Sequence, residues 1–326
     1  MYTHEKVRSV EEKCYDQNHV DKVMEVIKKV FPIYFNNFLE CEAGDSITIN
    51  DVQRIEKYFG VDGTSKKKST NLTKNLKNII IKANHDFEKD REAYIELFDY
   101  EALAEYEDDI HTFKSKALKN ECPIIRHTIQ NKRAKVLDKY RADFYASNAA
   151  ELHKVVLNLS TFAVNYIETV YAPDEYDKIV FYKDLELSDL DTNEYTVYGV
   201  IGGGIKSHML YKVQPSVFPN RSRFAIWALW YLTEKNTFGC EMDSEFLMID
   251  TKATTTQQNY FYPYELFAFY AHQIFQLLKK RAVKMEVNPD PASRYILVDA
   301  FLTFVAECHI DEIELMTSQI KESWDV

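Results

Sequence analysis

Only eight glycines and eight prolines punctuate these 326 residues. A many-turned β fold needs left-handed and φ-locked positions at its reversals. So few breakers predict long helices instead. The expected fold is all-α: mostly helical, with at most one short strand pair. Hydrophobic residues make up 46% of the chain, enough to fill a core, and 22 tyrosines with 20 phenylalanines predict an aromatic one.

Apolar spacing supports this reading. Val20, Val23, Ile27, Val30 and Tyr34 recur at helical intervals within 5–40, with Pro32 expected to kink or break the helix. Asn50 and Gln53 form a capping pattern for a helix over 50–59 that stops at Gly60. A loop follows to 71, then helices over about 71–98 and 100–119. Pro123 precedes a basic amphipathic helix at 124–146, with Ile125, Ile129, Leu137, Tyr140 and Phe144 inward. Another helix is predicted at 148–170. Residues 172–194 read as a linker, which divides the chain into a helical domain (1–171) and a second helical domain (195–326). In the latter, helical runs fall at 206–213, 222–233 and 262–280. EFLMID reads as a short strand, and a last helix at 292–321 carries Val298, Phe301, Val305 and Cys308 on one face.

The five cysteines, at 14, 41, 122, 240 and 308, are scattered and form no C-x-x-C. That pattern suggests neither a disulfide framework nor a zinc site, and no cofactor is expected. The opening MYTHEKVRSVEEK is charged, with no apolar signal core, and no apolar run approaches a membrane span. A cytoplasmic protein without membrane contact is the expectation.

Net charge is −11, which argues against a surface that is basic throughout. The charge is nevertheless segregated. Residues 86–109 hold eleven acids against Lys89 and Arg91, whereas 126–141 hold six basic residues against Asp138 alone. The acidic stretch reads as a solvated face, or as a contact surface for a basic partner protein or a second copy of this chain.

Gly202-Gly203-Gly204, three glycines together in a chain with eight, demand a reason. A Walker A loop would use Gly199 and Gly204, but Ile205 intrudes before Lys206 and displaces the amine from the phosphates. A nuclease reading uses Asp250 and Lys252 as the second half of a D…[DE]-x-K motif. There the carboxylate would bind Mg²⁺, the lysine would orient water, and Asp243 or Glu234 would be the partner acid. A plain reading makes the glycines a tight turn between domains.

A further reading is a phosphate-gripping hairpin of the form G-h-G-x-x-[ST]-A, written here as Gly202-Gly203-Gly204-Ile205-Lys206-Ser207-His208. Downstream come HMLYKVQPSVFPNRSRFAIWALWYL and then Tyr262-Pro263-Tyr264 opening a long helix. With these, residues 195–280 resemble the helix–hairpin–helix DNA glycosylase superfamily. The resemblance implies that Gly202, Gly203, Gly204 and Ser207 hold a nucleic-acid backbone. It also implies that Lys206 is a nucleophile or phosphate contact, and that Arg221 and Arg223 clamp the strand. Where the family carries its catalytic aspartate this chain has Asn220, and an amide is no base. The function expected is nucleic-acid binding of helix–hairpin–helix type, chiefly as a binding module, with a degenerate or atypical DNA glycosylase/lyase as the enzymatic variant of that reading. The alternatives are a non-enzymatic interaction protein using the acidic surface, and the Mg²⁺ nuclease.

Glu307-Cys308-His309-x-Asp311-Glu312 offers metal-ligating residue types, but on a helix they point to several faces, so the cluster reads as a solvated charged turn.

Overall fold

The computed structural model describes residues 10–40, 65–241, 244–250 and 255–322. Among them lie fourteen α-helices and a single two-stranded sheet, the mostly all-α fold that scarce glycine and proline predict. In chain order the helices begin with α1 (Gln17–Glu40), α2 (Ser65–Glu88), α3 (Arg91–Leu97) and α4 (Tyr100–Glu105). Next are α5 (Ile110–Thr112, continued as a π-helix over Phe113–Glu121), α6 (Pro123–Gln130) and α7 (Asp138–Ala146). Then come α8 (Ala149–Thr169), α9 (Pro173–Tyr176), α10 (Gly203–Val213) and α11 (Arg223–Leu232). The last are α12 (Tyr264–Lys284), α13 (Arg294–Glu307) and α14 (Ile310–Glu322). Strands β1 (Leu247–Asp250) and β2 (Thr255–Gln258) pair antiparallel, with Leu247 opposite Gln258 and Asp250 opposite Thr255. No described helix is long and apolar enough to cross a membrane.

The chain divides into two compact units, one of residues 1–84, 222–262 and 270–326, the other of 85–221 and 263–269. In the first, α11 is the centre. Its sequence RFAIWALWYL is apolar on every side, and Ala225 through Leu232 are all buried. A helix of that texture is stable only inside a core. Ser222 caps it by accepting from the Ala225 N–H at 3.1 Å, and it packs on α1 and α13. Helix α1 runs through Pro32 rather than ending there, and buries the expected stripe of Val20, Val23, Ile27, Val30 and Tyr34. Phe301 of α13 meets the rings of Phe31 and Phe38 at 5.3 and 5.5 Å. His309 stacks on Tyr231 with ring centroids 3.7 Å apart and is 2.7 Å from the Tyr34 hydroxyl. Burial pulls its pKa down to about 4, so it packs as a neutral ring.

In the second unit α8 plays the same part. Asn148 caps it, and Leu152, Val155, Val156, Leu159 and Ala163 are buried against α4, α5 and α10. The 172–194 segment, expected as a linker, lies within this unit, wound into α9 and three 3₁₀ turns. Tyr176, Tyr182, Leu185, Leu187 and Leu190 are buried there. Their spacing follows neither the helical nor the strand period, so a periodicity reading passes over them.

Several expected boundaries shift. The helix placed at 71 starts at Ser65. The 124–146 helix is two, α6 and α7, parted at Asn131–Ala134, and the 292–321 helix is α13 and α14, with Val298, Phe301, Val305 and Cys308 buried. EFLMID supplies β1. The 50–59 helix lies outside the described residues.

One glycine has a conformational role that the triplet lacks. Gly199 sits at φ +79° in a turn closed between Val197 and Ile201, and a Cβ there would come within 2.4 Å of Asp143 Oδ2. Gly202 has φ −94°, and nothing lies within 4 Å of its would-be Cβ. We expect Gly199→Ala to cost at least about 1–2 kcal/mol through its left-handed backbone. Gly202→Ala should cost less than about 1 kcal/mol, the difference between glycine and alanine at a helix cap. Urea midpoints of the two variants test this ranking, and equal losses would contradict it.

Candidate functional site

The glycine triplet opens α10: Gly202 caps the helix and Gly203 begins it. What precedes it is a 3₁₀ turn, Asn193–Tyr195, and the Val197–Ile201 bridge, so the corner joins a turn to a helix. Ser207 Oγ donates to the Gly204 carbonyl at 2.9 Å and accepts from the Arg221 N–H at 3.1 Å. Lys206 turns inward. Only 4% exposed, its ammonium donates to the Leu190 carbonyl and to Thr196 Oγ1. Arg221 is 3% exposed.

Asp191 is exposed as a residue, but its carboxylate turns in to accept from the N–H groups of Tyr264 and Glu265, at 2.7 and 3.2 Å. It thereby caps α12 from a distant point in the sequence, where a negative charge suits the helix dipole. The fold thus assembles Gly202, Gly203, Gly204, Lys206, Ser207 and Arg221 around one corner, with its two cations pointing inward. Arg223, in the first unit, is exposed and donates to Thr317 Oγ1 at 3.4 Å.

Burial governs the charges at this corner. It draws Lys206 down to about 8, against the attraction of Asp191 and with repulsion from Arg221. Burial also raises Asp191, opposed chiefly by the Tyr264 N–H and by Lys206. The buried Glu265 is lifted to about 7, first by desolvation and then by the charge of Asp191. His208 falls to about 4 through burial and the nearby Lys212. Shifted groups gather at functional sites, but they also gather in buried ion networks. The inward-turned hydrogen bonds of this set make it a packing knot.

Of the proposed nuclease residues, Asp250 ends β1, while Lys252 and Asp243 lie outside the described residues. Glu234 is exposed and pairs with Lys29 at 3.0 Å. All eleven acids of 86–109 are exposed. Asp99 and Asp109 cap the starts of α4 and α5, accepting from the N–H groups of Ala102 and Thr112, and Asp86 and Glu88 pair with Lys89 and Arg91.

The densest run of cations in the second unit spans α5 to α7. Residues 111–141 carry nine lysines and arginines against Glu121 and Asp138. Three of them, Lys119, Lys132 and Arg141, line a surface cleft of about 520 Å³ with Ile129, Gln130, Asp138 and Tyr145. Arg141 is fixed there by Asp138 and by the carbonyls of Asn131 and Ala134. Tyr145 is 57% exposed, and the Lys119 ammonium lies 5.2 Å from its ring centre. Among the described residues, Lys119, Lys132, Arg133 and Lys135 form no salt bridge. The sequence reading identified the basic run at 126–141. It did not join to it the lysines of the π-helix or Tyr145, because the broken helices that bring them together follow no single period.

A second constellation escaped the sequence altogether. In the first unit, Cys14, His19, Cys240 and Glu245 bring one ligand atom each into a group within 4.8 Å of one another. The sulfurs are 3.8 Å apart, and His19 Nε2 is 2.5 Å from Glu245 Oε2. More than 220 residues separate the two pairs, so no local spacing reveals them.

No family model matches the chain, and neither a curated protein nor a solved structure matches it significantly.

Glu265 gives a pH-dependent signature of the buried corner. Its folded pKa of about 7 exceeds the ordinary 4.5, so between those values the folded chain holds a proton that the unfolded chain has released. Its contribution is therefore present at low pH and is lost as pH rises through 7. Glu265→Gln should gain stability relative to the parent chain between about pH 5 and about pH 7.5. A difference in urea midpoint that does not change with pH would contradict this assignment.

Proposed function

We propose that this chain binds nucleic acid through the cationic cleft of its second unit, with single strands preferred to duplex. The observation that carries the proposal is the pairing of an exposed aromatic, Tyr145, with the Lys119 ammonium beside Lys132 and Arg141. Bases stack on an exposed ring and phosphates meet the neighbouring cations, a combination that grips a strand without reading its sequence. Duplex offers phosphates but no free base faces. The local charge of 111–141 provides the attraction despite the chain's net −11, because fields within a Debye length dominate.

The reading is one of binding. Asn220 stands where the glycosylase resemblance calls for an aspartate, and the Lys206 amine is already held by Leu190 and Thr196. A cytoplasmic location is part of the proposal: five scattered cysteines with no C-x-x-C pair suit a reducing compartment.

Filter binding with single-stranded and duplex oligonucleotides over a salt series tests the proposal. Affinity should fall with salt, and Lys119→Ala with Lys132→Ala should reduce the log–log slope by about 1.4, about 0.7 per lost single-strand phosphate contact. Tyr145→Ala should cost about 1–3 kcal/mol while leaving the slope unchanged. Absence of binding at about 50 mM salt, or affinity indifferent to all three substitutions, would overturn it.

A further inference from the structure

We infer that Cys14, His19, Cys240 and Glu245 form a structural site for a tetrahedral divalent cation, zinc by ligand preference. Two thiolates, an imidazole and a carboxylate are a donor set suited to zinc, and four protein ligands leave no open position for catalysis. The geometry fits. An ion bound about 2.3 Å from each of two sulfurs in a tetrahedron holds them about 3.8 Å apart, and the two sulfurs here are 3.8 Å apart. The imidazole–carboxylate edge, at 2.5 Å, is a hydrogen bond. Coordination would widen it to about 3.4 Å, a shift of under about 1 Å that carboxylate rotation can supply.

Burial and second contacts support the assignment. Cys14 is fully buried, and His19 and Glu245 are 7% and 5% exposed. Cys240 is half-buried and leaves a route for an ion to enter. Glu245 is oriented by the Tyr262 hydroxyl, 3.2 Å from its other oxygen, the outer-shell bond typical of ligating carboxylates. The two strands of chain that supply the ligands are already joined: Lys13 donates to the Gly239 carbonyl, and the Glu241 N–H donates to Glu11 at 2.7 Å. A disulfide between Cys14 and Cys240 is the competing use of the thiols, but it would need neither His19 nor Glu245 to converge on the same point. The bound ion would tie the segment around α1's start to the loop leading into β1.

Titration of the full-length, chelator-stripped, reduced protein with Zn²⁺ and with Co²⁺ tests the inference. One equivalent should bind, the Co²⁺ form should show thiolate charge transfer and the intense visible bands of tetrahedral cobalt, and Zn²⁺ should raise the unfolding temperature. Cys240→Ser, which alters the most accessible ligand, should weaken binding by more than the roughly 10–100-fold that loss of an outer-shell partner costs. Tyr262→Phe should fall within that range. The cobalt spectrum of the unmodified chain decides the question even if a variant does not fold. A weak octahedral spectrum, no bound equivalent, or a Cys14–Cys240 disulfide that persists in the protein purified under reducing conditions would each overturn it.

Discussion

An ammonium taken out of water must find partners or lose its charge. At 4% exposure, Lys206 finds the Leu190 carbonyl, the Thr196 hydroxyl and the attraction of Asp191. Asp191 in turn caps α12, and Ser207, one residue on from Lys206, holds the Arg221 backbone. The turns of 182–195, the start of α10 and the start of α12 are thereby fixed to one another within the second unit. An inward lysine also redirects the functional reading. The amine that the glycine motif would aim at a phosphate is used internally, whereas Lys119 and Lys132 of the cleft form no salt bridge among the described residues.

The second unit carries both extremes of the chain's charge. Eleven exposed acids over 86–109 are followed directly in sequence by nine cations over 111–141. A net charge hides such an arrangement, since at physiological salt each patch acts over about 8 Å. The acidic face serves in part as helix capping, through Asp99 and Asp109. The basic face is set around Tyr145 by the interruption between α6 and α7. Four residues, Asn131–Ala134, leave the helix there, and two of their carbonyls anchor the Arg141 guanidinium.

The helical class was legible because punctuation is a whole-chain property. So were α1, α8 and the face of α13, whose apolar residues keep a strict period, and β1, a short apolar run that ends at an aspartate. The burial of 172–194 was not legible, because tyrosines and leucines spaced irregularly among acids look like solvent-facing chain. The glycine triplet drew attention by rarity. Backbone conformation places the need for glycine at Gly199 instead, where φ is +79° and Asp143 crowds the missing Cβ. The Cys14–His19–Cys240–Glu245 group lay beyond any sequence argument that uses local spacing: its two C-x₄ pairs converge only through the fold.

The central claim, that the cations available to a nucleic acid are those of the cleft and not Lys206, is tested most directly by lysine footprinting. The native protein would be acylated with and without a single-stranded oligonucleotide, and each amine followed by mass spectrometry. The account predicts that Lys132 and Lys119 react in the free protein and are shielded by the oligonucleotide, while Lys206 stays unreactive in both states. Reaction of Lys206 at the rate of Lys132, or shielding that falls on Lys206 and spares the cleft, would contradict it.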